Sequence, residues 1–188
     1  QKIACLSRGE VPIVERGLDD LVAEGIANGR LRFVVGAADA VSGCEAAFLC
    51  VPTPQRADGS VDLSFIEAAA REMARSLPRA ALVVNKSTVP VGSTHVVERV
   101  LERDDVGVVS NPEFLREGSA VEDFLHPDRI VIGSDDHDAA ERVASFYSGV
   151  EAPVLITDPA SAETIKYAAN AFLATKLSFV NALAAVCE

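Results

Sequence analysis

A lysine, two carboxylates and several hydroxyls stand in this chain where loop chemistry is usually built. The segments Lys86-Ser87-Thr88-Val89-Pro90-Val91-Gly92 and Ser110-Asn111-Pro112-Glu113-Phe114-Leu115-Arg116-Glu117-Gly118 each follow a short apolar run with the character of a buried strand. Loops just past the carboxyl ends of strands are where open α/β sheets place their ligands. Pro112 stiffens the approach to Glu113, and Gly118 lets the chain turn away after Glu117. A carboxylate partly withdrawn from water in such a loop has its pKa raised and can take a proton from water near neutral pH. On residue type alone, helix capping or a solvated charge explains either glutamate as well. A third group lies downstream. Lys166 and Asn170 are four residues apart in a stretch free of glycine and proline, so on a helix they share one face. An ammonium beside an amide donor suits a developing alkoxide or tetrahedral oxyanion.

These residues need a scaffold, and the apolar pattern supplies one. Leu31–Val35, Ala46–Val51, Ala81–Asn85, Gly107–Val109, Arg129–Gly133 and Val154–Ile156 have strand character. Between them lie helical stretches at Ala37–Val41, Asp62–Leu77, Ser93–Leu101 and Asp138–Tyr147. In the second of these, Ile66, Ala69, Ala70, Met73 and Leu77 recur on one face, and Pro78 ends it. Such alternation predicts an α/β, Rossmann-like, doubly wound parallel sheet. Ser93 or Thr94 is the expected cap of its helix. From Asp158 the pattern changes: a capping acid, Pro159 at the first helical position, then an unbroken run from Ala160 to Cys187. As one helix it spans roughly 40 Å at 1.5 Å per residue. Apolar residues on several sides of it predict burial between domains or in a dimer. The expected division is therefore 1–157, a cofactor-binding domain, and 158–188, a central helix.

Composition narrows the partners. The 188 residues carry a net charge of −11, which repels nucleic-acid backbones and anionic membranes. A local patch can still hold one anionic small molecule. No apolar run uninterrupted enough to cross a bilayer is evident, and no leader is visible, so a cytoplasmic setting is expected. Cys5, Cys44, Cys50 and Cys187 show no paired spacing; Cys50 and Cys187 lie in apolar runs that suit buried reduced thiols. His95, His126 and His137 are scattered, and no metal site is expected. No Gly-x-Gly-x-x-Gly turn occurs, so the expectation is a cofactor sheet incomplete at its N-terminus.

Taken in order, Arg8-Gly9-Glu10-Val11-Pro12-Ile13, Val51-Pro52-Thr53-Pro54, Lys86 to Gly92, Asn111 to Gly118, Phe124 to Arg129 and Lys166 to Phe172 resemble the UDP-glucose/GDP-mannose dehydrogenases nearly end to end. Arg16 departs from the Glu-Pro-Gly turn common in that family, and the family's cysteine-bearing Gly-Gly-Ser-Cys-Phe-Pro-Lys-Asp motif is not found here. The resemblance implies NAD-dependent, four-electron oxidation of a nucleotide sugar's primary alcohol to a carboxylate. Hydride leaves twice, and a cysteine thioester is hydrolysed by water. UDP-glucose is the expected substrate, with GDP-mannose or a UDP-N-acetylhexosamine as alternatives, and a homodimer the expected assembly. The resemblance implies catalytic roles for Thr88, Glu113, Glu117, Lys166 and Asn170. It places Pro52, Thr53, Ser87, Thr88 and Glu117 at NAD, and Phe114, Leu115, Arg116, Lys166 and Asn170 at the sugar nucleotide. Lys86 is expected to form an ion pair or brace its loop, outside the acid–base chemistry. A different class stays open on the residues alone, since a chain without the glycine turn and the cysteine motif could act as a silent binding or assembly module.

Overall fold

The computed structural model describes residues 2–187. Two N-terminal helices, α1 (Lys2–Leu6) and α2 (Leu18–Ala27), precede the sheet. The remaining elements alternate: α3 (Ala37–Ala40), β1 (Ala46–Leu49), α4 (Ser64–Met73), β2 (Leu82–Asn85), α5 (Ser93–Leu101), β3 (Gly107–Ser110), α6 (Ala120–Leu125), β4 (Ile130–Gly133), α7 (His137–Ser145), β5 (Val154–Thr157) and α8 (Pro159–Cys187). Five strands pair in chain order, β1-β2-β3-β4-β5.

Alternation along the central strands sends side chains to two cores. Ala81, Val83 and Val108 join Ile66, Ala70, Met73, Val97 and Leu101 on the face covered by α4 and α5. Leu82, Val84, Val109 and Ile132 join Ala139, Ala140 and Val143 of α7 on the other. Helices on both faces explain why the strands read as continuous apolar runs. The α/β, Rossmann-like architecture followed by a long helix is the one expected.

Two strand expectations change. Residues 31–35 form no strand: a strand exists through its neighbour's hydrogen bonds, and the sheet ends at β1, which pairs only with β2 among the described residues. And the sheet is mixed. β1, β2 and β3 are parallel, as are β4 and β5, but β3 and β4 run antiparallel. Their connection carries only the six-residue α6, too little helix to cover a sheet face and return in parallel. The antiparallel pair overlaps only at Ser110 and Gly133, so the start of β4 extends beyond the carboxyl end of β3. That step leaves room for the Asn111–Gly118 loop.

The chain after β5 folds back tightly. A side chain on Gly133 would place its Cβ 2.5 Å from the Ala162 Cβ and 2.8 Å from the Asp158 carbonyl, so only glycine admits α8 there. Asp158 does cap, accepting from the Ser161 amide at 2.8 Å. Of the helix, Pro159, Ala162, Glu163 and Lys166 are buried. Beyond them Phe172, Leu173, Leu177, Phe179, Val180, Leu183 and Val186 are exposed. Burial of α8 between larger bodies was expected; within this chain its distal half is uncovered. By length and composition alone α8 is long and apolar enough to cross a membrane, with mean hydropathy 1.4, although Glu163, Lys166 and Lys176 interrupt its apolar run. Cys50 and Cys187 are also exposed. The first lies just past the edge strand, the second on the uncovered part of α8.

Candidate active site

A cleft of about 880 Å³ opens between the Asn111–Gly118 loop, α6 and α8. Its lining includes Glu113, Phe114, Leu115, Arg116, Lys166 and Asn170, all residues expected at the site. Glu113 is delivered by the stiff Asn111–Pro112 link at the end of β3, Lys166 and Asn170 by α8. The Lys166 Nζ donates to Glu113 Oε1 at 3.1 Å, although the two residues are 53 positions apart in sequence. Glu113 Oε2 accepts from the Leu115 amide at 2.7 Å. Lys166 is 6% exposed, while the Glu113 side chain keeps 30% of its surface open. The result is a covered ammonium facing a carboxylate that water can still reach. Two cations lie against the Phe114 ring, the Arg129 guanidinium 4.6 Å and the Lys166 Nζ 5.2 Å from its centroid. Both distances are in the range of cation–π attraction, which holds Lys166 from a second side.

Arg116 is committed to its own loop. Its backbone amide and guanidinium both donate to Asp123, at 2.8 Å and 3.1 Å for the Oδ2 atom, and its guanidinium holds the Asp123 carboxyl down at about 2. The turn at Gly118 is tied from far away, since Glu15 accepts from the Gly118 amide at 2.7 Å and the Ala120 amide at 3.2 Å. Glu117 is exposed and does not line the cleft. The two glutamates expected at the site are therefore separated, because the turn faces Glu113 inward and leaves Glu117 in solvent.

The remaining expected residues form a second group outside the cleft lining. Ser87 braces the end of β1: its Oγ accepts from the Val51 amide at 2.9 Å and lies 2.8 Å from the Val51 carbonyl. Thr53 Oγ1 donates to the Thr88 carbonyl at 2.8 Å. Pro52, Thr53, Ser87 and Thr88 thus adjoin one another at the carboxyl ends of β1 and β2, beside the cleft rather than in it. Asn85, 1% exposed at the end of β2, has neither carboxamide atom paired. Hydroxyls, loop backbone and an unpaired buried amide at the ends of parallel strands fit a dinucleotide passing along this crevice.

Sequence reasoning gave no site role to four participants. Lys86 reaches the cleft, donating to Asn111 Oδ1 and to the Tyr147 hydroxyl, each at 3.2 Å. Burial lowers its pKa, and burial pushes Tyr147 up to about 12. The Asn111 Nδ2 donates to the Val131 carbonyl at 2.8 Å. The fourth is Glu163, 2% exposed. Gly92, at φ 93°, is the N-cap of α5 and offers no side chain. The capping group comes instead from α8: Glu163 accepts from the Gly92 amide at 2.6 Å, the Thr94 amide at 2.9 Å and the Thr94 hydroxyl at 2.8 Å. Ser93, an expected cap, bonds back to the Pro90 carbonyl. A carboxylate at a helix N-terminus also meets the positive end of the helix dipole. Glu163→Ala should cost about 3 kcal/mol, because it strands buried donors; Glu163→Gln, keeping an acceptor, should cost less. Urea unfolding of the purified variants measures both, and an Ala variant as stable as wild type contradicts the capping role.

An α/β sheet with a lysine–carboxylate cleft beyond its strand ends has the layout of an enzyme site. Residues 1–151 match the NAD binding domain of the UDP-glucose/GDP-mannose dehydrogenase family, and residues 160–188 match that family's central domain. The chain belongs to this family. It is 49% identical over its whole length to the UDP-glucose 6-dehydrogenase of Rhizobium meliloti (strain 1021), covering 45% of that protein. It is 44% identical to the UDP-glucose 6-dehydrogenase TuaD of Bacillus subtilis (strain 168), covering 42% of it. Among solved structures, a UDP-glucose dehydrogenase from the hyperthermophilic archaeon Pyrobaculum islandicum superposes with TM-score 0.92 at 46% identity, over 96% of this chain and 44% of that one. A GDP-mannose dehydrogenase from Pseudomonas aeruginosa gives 0.89 at 34% identity, with the same 96% and 44% coverage. The chain thus spans less than half the length of these relatives.

Proposed function

We propose that the protein containing this chain oxidises UDP-glucose at its primary alcohol to UDP-glucuronate, in two steps and with NAD, for use in polysaccharide synthesis. The observation that carries the reading is the Lys166–Glu113 pair in one cleft, 3.1 Å apart, in a chain of this family. Pro52, Thr53, Ser87 and Thr88 would hold NAD, which would supply the hydride acceptor. Lys166, with Asn170 one turn further along the same face, stabilises negative charge developing on the sugar oxygen. Glu113, still open to water, takes the proton when water attacks the acyl group in the second half of the reaction. Phe114, Leu115 and Arg116 border the sugar nucleotide; Thr88 and Glu117, outside the cleft lining, serve the cofactor side. None of the four cysteines lines the cleft, so the nucleophile is assigned to another part of the enzyme.

The units proposed are 1–157 for the cofactor and 158–188 as the start of a central dimer-forming helix. The exposed apolar surface of α8 supports a homodimer. Lys166, Asn170, Lys176 and Asn181 recur along α8, and its first turns are fastened to the sheet, so protein rather than lipid is its proposed cover and the enzyme's setting is cytoplasmic. Sedimentation in detergent-free buffer should show a dispersed dimer; a monomer, or a protein recovered only with membranes, refutes this assembly. The activity is tested by following NADH formation against UDP-glucose, GDP-mannose and UDP-N-acetylhexosamines. UDP-glucose should give the highest kcat/KM. Preference for another sugar changes the substrate, and no turnover with any removes the reading.

A further inference from the structure

Lys86 is a covered lysine without the acid partner such a group usually has. Its ammonium is half-buried in the lining of the cleft, and its partners are neutral: the Asn111 carboxamide oxygen and the Tyr147 hydroxyl at 3.2 Å each, the Asn111 carbonyl at 3.5 Å, and the Tyr147 ring, whose centroid is 5.7 Å away. No carboxylate stands within ion-pair distance of it among the described residues; the nearby Glu113 is engaged by Lys166. A covered cation without an acid partner loses more in desolvation than neutral donors and acceptors return. The groups facing it are Cys50 from the end of β1, Glu113 from the loop, Lys166 from α8 and Tyr147 from the end of α7.

Its position accounts for the charge. Asn111 is 1% exposed and its side chain is fully used: Oδ1 receives both Lys86 and the Tyr147 hydroxyl, and Nδ2 donates to the Val131 carbonyl. The carboxamide is therefore clamped from just past β2, from just past α7 and from β4 at once. From it the chain passes through Pro112, with its fixed φ, directly to Glu113. A displacement at Asn111 moves Glu113, and an ion pair at 3.1 Å has little tolerance for displacement.

We infer that Lys86 is a positioning residue for the reaction proposed above: with Tyr147 it clamps the Asn111 carboxamide and, through the Asn111–Pro112–Glu113 link, holds Glu113 against Lys166. The reaction rests on the proposed function, whereas the clamp itself rests on the geometry.

The two parts separate experimentally. Lys86→Met, of similar length and without charge, Lys86→Arg and Tyr147→Phe are compared with wild type in the purified complete protein. One readout is steady-state kinetics; the other, independent of activity, is acetylation of Lys166 by acetic anhydride, quantified by mass spectrometry with Glu113→Gln as the unpaired reference. Lys86→Met should lower kcat about tenfold with little change in the nucleotide-sugar KM, the pattern of a misplaced catalytic group. It should also raise Lys166 acetylation toward that of Glu113→Gln. Lys86→Arg should recover part of both effects. A wild-type kcat in Lys86→Met overturns the inference whatever the labelling. Should Lys86→Met fail to fold, Tyr147→Phe decides: raised labelling with lowered kcat supports the clamp, and wild-type labelling overturns it. If wild type turns over no nucleotide sugar, the functional reading fails, while the labelling series still tests the clamp.

Discussion

Replacing Lys166 by alanine should cut kcat by about 10² to 10³, the loss seen when one preorganised donor to a developing oxyanion is removed. The expectation follows from what surrounds this ammonium. It is 6% exposed, its hydrogen-bond partner is Glu113, and the Phe114 ring lies beside it, so it is held in place before substrate arrives. A group already fixed and shielded from water gains most when charge appears on the reacting oxygen, and least while the substrate is a neutral alcohol. The loss should therefore fall on kcat and leave KM nearly unchanged. Lys166→Arg should not rescue it, because a planar guanidinium cannot place one charge between the Phe114 ring and the Glu113 carboxylate as a compact ammonium does. Stability should fall by only about 1 kcal/mol, since water reaches Glu113 and can solvate it once its partner is gone. Steady-state kinetics with denaturant titration measures both quantities. An alanine variant with unchanged kcat, or one whose entire loss is instability, removes Lys166 from the chemistry.

What could be read from the chain divides along a physical line. β2 and β3 were legible because each is covered on both faces and must be apolar throughout, and β1 because its run is as apolar although Phe48 on one face is exposed. α8 was legible because Asp158, Pro159 and the absence of later glycine or proline are local signals. The direction of β4 was not legible, since strand composition is the same in either orientation; it depends on how little helix α6 provides. Residues 31–35 show the converse. Leu31, Phe33, Val34 and Val35 have strand character, but pairing needs a neighbour, and the sheet ends at β1. In the site, Glu113 and Lys166 were found through their motifs, and their pairing is a property of the fold alone. Lys86 stood inside a noted motif and was still underread, because its partners Asn111 and Tyr147 come from β3 and the end of α7. Glu163 gave even less signal. A glutamate three residues before a lysine on a helix reads as a surface charge until Gly92 is known to need a cap. Glu117 erred in the opposite direction: a second carboxylate in one loop suggests a pair, yet Gly118, fastened by Glu15, turns the chain so that the two diverge.

Glu113→Gln should stall the enzyme after oxidation and before release. In the proposed sequence, the steps that remove hydride need Lys166 and the cofactor, whereas hydrolysis of the acyl group needs a base to take the proton of water. Glutamine keeps the shape and can still accept from the Leu115 amide, as the Oε2 of Glu113 does at 2.7 Å, but it cannot take a proton. Rapid mixing with substrate and NAD should then give a burst of two NADH per active site, one for each hydride removed before hydrolysis, followed by a steady state slowed about 10² to 10⁴-fold, the range of a lost general base. Intact-mass measurement during the slow phase should find the sugar nucleotide attached to the protein. Glu117→Gln provides the comparison. This residue is exposed and does not line the cleft, so its variant should show no accumulated adduct and a much smaller fall in rate. The contrast uses two glutamates of one loop that differ chiefly in where the turn places them. If both variants accumulate the adduct equally, or neither does, then closeness to Lys166 is not what selects the base, and the water must be activated from elsewhere in the enzyme.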